Sequence, residues 1–270
     1  PGHTAADLRR AIDWDALPKL SNPALIAERH RGAELNLPNI SDFAIANELG
    51  REHLAPLDLR PYANMGFVDP VMGDGKGGWS DEGPFHDLPG VEVGTRTFHG
   101  VPIELIDPAT NRGAAVVSLK SAKFPQGSDG FTIPLGRKPR GVFVMHTVQN
   151  YPKPGVMYQL VFHYANGQNS VVPTSYPNEV GSSWSPPNVI DEEAHHTKAV
   201  YLPVSADQRT MLSETRQWVE QTHSPIIYRF PRITYVENPN PDAGEVASLE
   251  IRSANPAGGV PIILGLTAPK

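Results

Sequence analysis

Twenty-eight prolines and 24 glycines are spread over 270 residues, and they leave few stretches long enough for an uninterrupted helix. Proline removes a backbone donor and glycine carries an entropic cost inside regular elements, so both punctuate the chain. That punctuation disfavours a helical bundle or a regular βαβ array. What lies between the breaks is short and rich in Val, Ile, Phe and Tyr, the composition of strands. Strands are expected at Leu57–Arg60, Thr97–Ile106, Ala114–Leu119, Gly130–Leu135, Gly141–Val148, Val156–Tyr164, Asn169–Pro173, Ile226–Val236, Val246–Arg252 and Val260–Thr267. Ala165-Asn166-Gly167 is the sharpest hairpin signal, because Asn-Gly supplies the positive φ values of a primed turn. Strands this dense predict an all-β chain, an antiparallel β-sandwich or jelly roll. No repeat at a period of about 20–50 residues marks a solenoid or propeller.

Two stretches depart from the β pattern. Residues 1–55 carry weak helical patterns at His3–Leu17, Pro23–Arg31 and Ser41–Leu54, broken by Pro18 and Pro23, and read as a short helical arm or linker. Residues 56–270 then form the sandwich, with an insertion near 189–224. Inside that insertion Ser205-Ala206-Asp207-Gln208 is a capping box, and Met211, Leu212, Trp218 and Val219 fall on one helical face.

The formal charge of −6 argues against a nucleic-acid binder, which needs a basic face. Cysteine is absent, which excludes disulfide scaffolds, thiolate metal centres and cysteine nucleophiles, and fits an extracytoplasmic bacterial protein. The chain begins at Pro1 with neither Met nor the apolar core of a signal peptide, as expected of a processed product or a segment of something longer. No run approaches the roughly 18 apolar residues of a membrane span.

One loop stands out: DPVMGDGKGGWSDEGPFHDLPG, from Asp69 to Gly90. Gly73, Gly75, Gly77 and Gly78 precede Trp79, and Asp69, Asp74, Asp81, Glu82 and Asp87 surround them. Clustered carboxylates with turn-freed carbonyls are what a hard cation such as Ca²⁺ needs. Asp69, Asp74 and Asp81 are the candidate ligands, although the EF-hand spacing is absent and Asx turns use aspartate in the same way. Trp79 offers a flat face for a sugar ring, or a plug for the core.

Taken in order, several segments resemble a known family. They are DLRPYANMGFVD, DGKGGWSDEGPFHDLPG, FHGVPIELIDPATNRGAAVVSL, GVFVMHT, YQLVFHYANGQ, GSSW ending at Trp184, VENPNPD, and LEIRSANPAGGVPIILGLT. Leu57 to Thr267 resembles the galactose-binding-like β-sandwich modules found beside catalytic domains in bacterial polysaccharide-degrading enzymes. The resemblance implies a non-catalytic sugar binder or a structural spacer, often with a structural Ca²⁺, next to a catalytic domain in the parent chain. On that reading Trp79, Asp81, His86, Tyr176, Asn178 and Trp184 are the carbohydrate-binding candidates. Serines flank Trp184 and Pro186-Pro187 follows it, the setting of a rigid platform. The 189–224 region and the first 55 residues lie outside the family pattern.

Two further readings come from the same residues. A structural sandwich would pack against a neighbouring domain or subunit through the 205–221 helix and the arm. A metal-assisted lyase or hydrolase would need His146, His163, His195, His196 and Glu192 to converge, since two imidazoles and a carboxylate make a metal set. Core histidines satisfied by hydrogen bonds, and a solvated Glu192–His196 loop, are the alternatives. No Gly-x-Ser-x-Gly elbow or phosphate loop is present, and the scattered acids nominate no glycosidase pair, so no catalytic residue is assigned.

Overall fold

The computed structural model describes residues 42–83, 86–184, 196–205 and 226–270. The helical patterns up to Arg31, the helix expected after Ser205, and Glu192 and His195 lie outside them.

The chain is an all-β antiparallel sandwich. A short helix α1 (Ala44–Leu49) leads through a 3-10 turn at Arg51–His53 into β1 (Leu54–Pro56). A hairpin follows, β2 (Gly94–Phe98) and β3 (Val101–Leu105), then the two-residue β4 (Val117–Ser118). Four long strands come next: β5 (Gly130–Arg137), β6 (Gly141–Gln149), β7 (Gly155–Tyr164) and β8 (Asn169–Tyr176). Short strands β9 (Thr197–Ala199), β10 (Leu202–Ser205) and β11 (Ile226–Arg229) precede β12 (Arg232–Glu237), β13 (Val246–Ser253) and β14 (Val260–Pro269). One sheet runs β1-β14-β6-β12-β9, with β4 also on β14, and the other runs β5-β13-β7-β8. The β10–β11 and β2–β3 pairs stand apart from both sheets.

Burial explains the two strand vocabularies. β6, Gly-Val-Phe-Val-Met-His-Thr-Val-Gln, is buried at every position, because the larger sheet is covered on both faces. On its outer face Phe43 meets Phe143 edge-on at 5.4 Å, and Thr267 Oγ1 donates to the Pro102 carbonyl of β3. The smaller sheet has one dry face. Leu249 and Ile251 of β13 point inward, while Glu250 and Arg252 alternate outward. Phe43, Ala46 and Leu54 belong to the core, and β1 pairs with β14 from Leu54↔Pro269 to Pro56↔Thr267, so residues 43–56 are built into the sandwich.

Several strand boundaries differ from expectation for identifiable reasons. The first strand is Leu54–Pro56 rather than Leu57–Arg60. Thr97–Ile106 is not one strand, because His99 and Gly100 both take positive φ and close the β2–β3 hairpin. Ile226–Val236 breaks at Phe230-Pro231, where proline cannot donate to a ladder; β11 then pairs with β10, and β12 joins the main sheet. Residues 197–199, inside the stretch read as an insertion, form the edge strand β9 against β12. The Asn166-Gly167 turn joins β7 to β8, with Gly167 at φ +86°.

Candidate functional site

The Asp69–Gly90 loop is held by its own carboxylates. Asp69 is buried, and its Oδ1 and Oδ2 accept from the Val71 and Gly83 amides at 3.1 and 2.8 Å. Asp81, at φ +56°, accepts from Gly73 and Gly75 at 3.0 Å each, and Gln126 Nε2 adds a bond at 3.2 Å. Asp74 accepts from the Lys76 amide at 2.9 Å. One ligand atom from each of Asp69, Asp74 and Asp81 lies within 4.8 Å of the others. Three hard oxygens at that separation suit Ca²⁺, and burial together with the Asp81 and Asp74 charges already pushes the Asp69 carboxyl up. The glycines permit this approach. A Cβ on Gly78 would stand 2.6 Å from both Asp69 Cβ and Asp87 Oδ1.

Trp79 is corrected from sugar platform to plug. It is 1 % exposed, its Nε1 donates to the His86 carbonyl at 2.7 Å, and its carbonyl accepts from Ser118 Oγ of β4. A ring buried on both faces cannot stack on a sugar. Ser118 also exchanges two hydrogen bonds with the Asn64 side chain, so β4 fixes the loop to the sandwich.

Trp184 is half-buried, and it gathers a polar set around it. The Arg229 guanidinium of β11 lies over its ring, 3.9 Å from the centroid, a cation–π stack. His86 makes a T-shaped contact with it, ring centroids 5.0 Å apart. His86 Nδ1 stands 3.8 Å from Glu82 Oε2. Gln149, the last residue of β6, donates through Nε2 to Ser183 Oγ beside Trp184. Four elements therefore meet here: the 80–87 loop, the end of β6, the Ser183–Trp184 turn and the end of β11.

The electrostatics of this cluster are unusual for a surface. Burial pushes Glu82 up, with the Ser80 hydroxyl and the Asn150 backbone opposing it. Burial, then the Arg229 charge, pushes His86 down and keeps it neutral. Asp87 accepts from the Asp69 amide at both oxygens, at 2.7 Å, and is pushed up to about 7, first by burial. Arg229 is 4 % exposed and lowered by burial to about 10, so it stays cationic at neutral pH.

The remaining candidates sit elsewhere. Tyr176 ends β8 opposite Gly155, and Asn178 is exposed with its carbonyl accepting from Arg232 at 2.9 Å. No hydrogen bond, ion pair or ring contact among the described residues joins either of them, or Asp81, to Trp184 or His86. His146 lies buried between the sheets. Its Nδ1 bonds the Tyr158 hydroxyl and its Nε2 bonds Thr234 Oγ1 at 2.9 Å, while Thr234 in turn donates to the Glu179 carbonyl at 2.7 Å. The chain closes with Nδ1 accepting and Nε2 donating, and burial lowers this histidine to about 3. His163 bonds Glu250 at 2.8 Å on the outer face of the smaller sheet. His196 is exposed ahead of β9. The described histidines thus have separate partners and do not converge.

Arg229, Ser80 and Gln149 were not legible as site residues. Nothing in a β-strand's sequence marks which arginine will fold onto a distant tryptophan. Comparison with protein-family models, curated proteins and solved structures finds no match.

Proposed function

We propose that the chain is a non-catalytic carbohydrate-binding or accessory module of a larger secreted enzyme. The observation that carries this reading is Trp184: a half-buried indole with Arg229 over its ring, His86 in a T-shaped contact with it, and the Glu82 carboxylate beside His86. Sugar recognition uses an aromatic face for C–H stacking and a few fixed polar groups for hydroxyls, and this cluster supplies both. His86 and Trp184 carry over from the sequence-derived set, Glu82 and Arg229 join them, and Trp79 leaves it. Asp69, Asp74 and Asp81 are the set that would hold a structural Ca²⁺ on this reading, with no part in stacking. Affinity electrophoresis of the folded protein through gels of neutral and acidic polysaccharides tests it. Retardation by at least one polysaccharide is expected, and mobility unchanged in every gel overturns it.

A second reading rests on a different observation. Val68, Val71 and Met72 are exposed on the glycine-rich loop, an apolar group suited to an adjoining domain of the parent chain. Sedimentation with and without that domain distinguishes this reading, because a sugar binder needs no such association.

A further inference from the structure

Among the exposed large hydrophobic side chains of the described residues, Tyr151 is the most open, at 82 % exposed. It lies in the connection from β6 to β7, Asn150-Tyr151-Pro152-Lys153-Pro154. A single exposed ring is ordinary, and the backbone beneath this one is not. Asn150 and Tyr151 take φ +60° and +53°, both in the left-handed region. The other non-glycine residues with positive φ among the described residues are Asp81, His99, Arg112, His196 and Asn255, all polar. A bulky ring at positive φ is strained, and glycine would make the same turn without that cost. The next connection, β7 to β8, does use glycine, with Gly167 at φ +86°. Strain kept where glycine would relieve it points to a use for the side chain.

The surroundings hold the turn in place. Gln149, just before it, is fully buried and donates to Thr147 Oγ1 at 3.3 Å and to Ser183 Oγ. The Asn150 backbone amide acts on the Glu82 carboxylate. Gly258 and Gly259 make room for the turn from behind. A Cβ on Gly259 would stand 2.5 Å from Val148 Cγ1 and 3.1 Å from Pro152 Cα, and one on Gly258 would stand 3.0 Å from Lys153 Cγ. Pro152 and Pro154 fix two backbone angles more. Ser183 precedes Trp184, and Glu82 faces His86, so the turn is anchored to the Trp184 cluster.

The ring's chemistry and setting narrow what it can take. Tyrosine joins a flat apolar face to a hydroxyl, which suits a sugar ring with its C–H face and hydroxyl rim. A protein partner needs a contiguous apolar patch, whereas Asn150 and Lys153 flank Tyr151 in the turn. Holding the ring in place beforehand lowers the ordering cost of binding.

We infer that Tyr151 is a carbohydrate-stacking residue, presented by the strained β6–β7 turn beside the Trp184 cluster to a pyranose ring of a polysaccharide. This rests on the carbohydrate-binding reading and adds to it a surface position that does not depend on how much of Trp184 is open.

The test compares Tyr151→Ala, Tyr151→Gly and Tyr151→Phe with the wild type. The probes are galactan, arabinoxylan, glucomannan and polygalacturonate. Dissociation constants come from electrophoretic retardation against polysaccharide concentration, and Tm from thermal melts. Retardation of the wild type by at least one of them is expected. Tyr151→Ala and Tyr151→Gly should then bind about tenfold more weakly, the scale of one aromatic anchor, and Tyr151→Phe within about twofold of the wild type. Tyr151→Ala should melt with the wild type, since its ring is exposed, and Tyr151→Gly should melt above Tyr151→Ala, since glycine relieves the strain. Wild-type binding that survives in Tyr151→Ala overturns the inference and leaves the carbohydrate-binding reading standing. An equal loss in Tyr151→Phe assigns the effect to the hydroxyl and overturns stacking. A Tm for Tyr151→Ala several degrees below the wild type shows the ring to be structural and overturns the inference. So does a Tm for Tyr151→Gly no higher than that of Tyr151→Ala, which removes the strain. No retardation of the wild type in any gel removes both the inference and the reading beneath it.

Discussion

Trp79 and Trp184 lie on opposite sides of the boundary between core and site, and substitution should separate them. Trp79→Ala opens a cavity in the sandwich and also strands the His86 carbonyl, so a loss of about 3–5 kcal/mol is expected in urea unfolding. Trp184→Ala removes a half-exposed ring and one cation–π contact, worth about 1 kcal/mol, and should abolish polysaccharide retardation. Reversed effects would put the binding surface on the glycine-rich loop. Asp87 gives a pH signature. Its native carboxyl is raised from 3.8 to about 7, mainly by burial, so between those values the folded state holds a proton that the unfolded state has lost. Stability from this group therefore falls as pH rises through that window and is flat above it. His146 slopes the other way: lowered to about 3, it contributes more as pH rises toward 6.5. The margin of wild type over Asp87→Asn cancels the histidine. It should shrink from about pH 5 to about pH 7 and then level off, and a margin that grows over that interval would refute the assignment.

At the scale of the element, the 66–90 loop behaves as a piece of the sandwich. It is tied to β4 through Ser118 and laced internally by Asp69, Asp81 and Asp87, so its glycines are not interchangeable. Gly78 has no room for a Cβ against Asp69 and Asp87, both buried. Gly73 has open space but a φ of +79°. Gly78→Ala should cost about 1–3 kcal/mol through forced displacement. Gly73→Ala should cost about 1–2 kcal/mol through backbone strain alone. Their signatures differ under ligand titration: Gly78→Ala should also weaken glycan retardation by displacing Asp87, and Gly73→Ala should leave it unchanged. Equal binding losses would show that the whole loop, and not its buried base, shapes the binding surface. The same element logic covers β1 and α1, where Phe43 and Leu54 are core residues and β1 closes one edge of the larger sheet.

Across the whole molecule, two polar centres share one loop at different depths. The Asp69, Asp74 and Asp81 oxygens lie within 4.8 Å of one another, while His86 meets Trp184 and faces Glu82, and the Asp87 charge acts on Arg229. A cation on the first set would offset the burial, and after it the Asp81 and Asp74 charges, that raise Asp69, and it would stiffen the frame of the second. A ligand that binds only the folded state stabilises it by about 2.7 kcal/mol at a hundredfold excess over Kd. Melts of metal-free protein in millimolar calcium and in chelator should then differ by several degrees, and superimposable curves would remove Ca²⁺ from the account. The chain contains no helix, among its described residues, long and apolar enough to cross a membrane.

The all-β class and most strand positions follow from the sequence alone, because alternation, β-branched content and turn residues are local properties. The Asn166-Gly167 hairpin and the long β6 and β7 are instances. The 69–90 loop was marked in the sequence by its glycines and acids, and in the fold Asp69, Asp81 and Asp87 accept from its own backbone amides. Tertiary structure alone decided the rest. Whether Trp79 or Trp184 faces outward depends on which strand lies beneath each, and both are tryptophans among small residues in the sequence. That Arg229 stacks on Trp184, some 45 residues away, depends on β11 leaving the main sheet at Pro231 to pair with β10. Exposure is likewise a property of the fold: a sequence lists its tyrosines, and only packing determines that Tyr151 stays open while Tyr158 is fully buried.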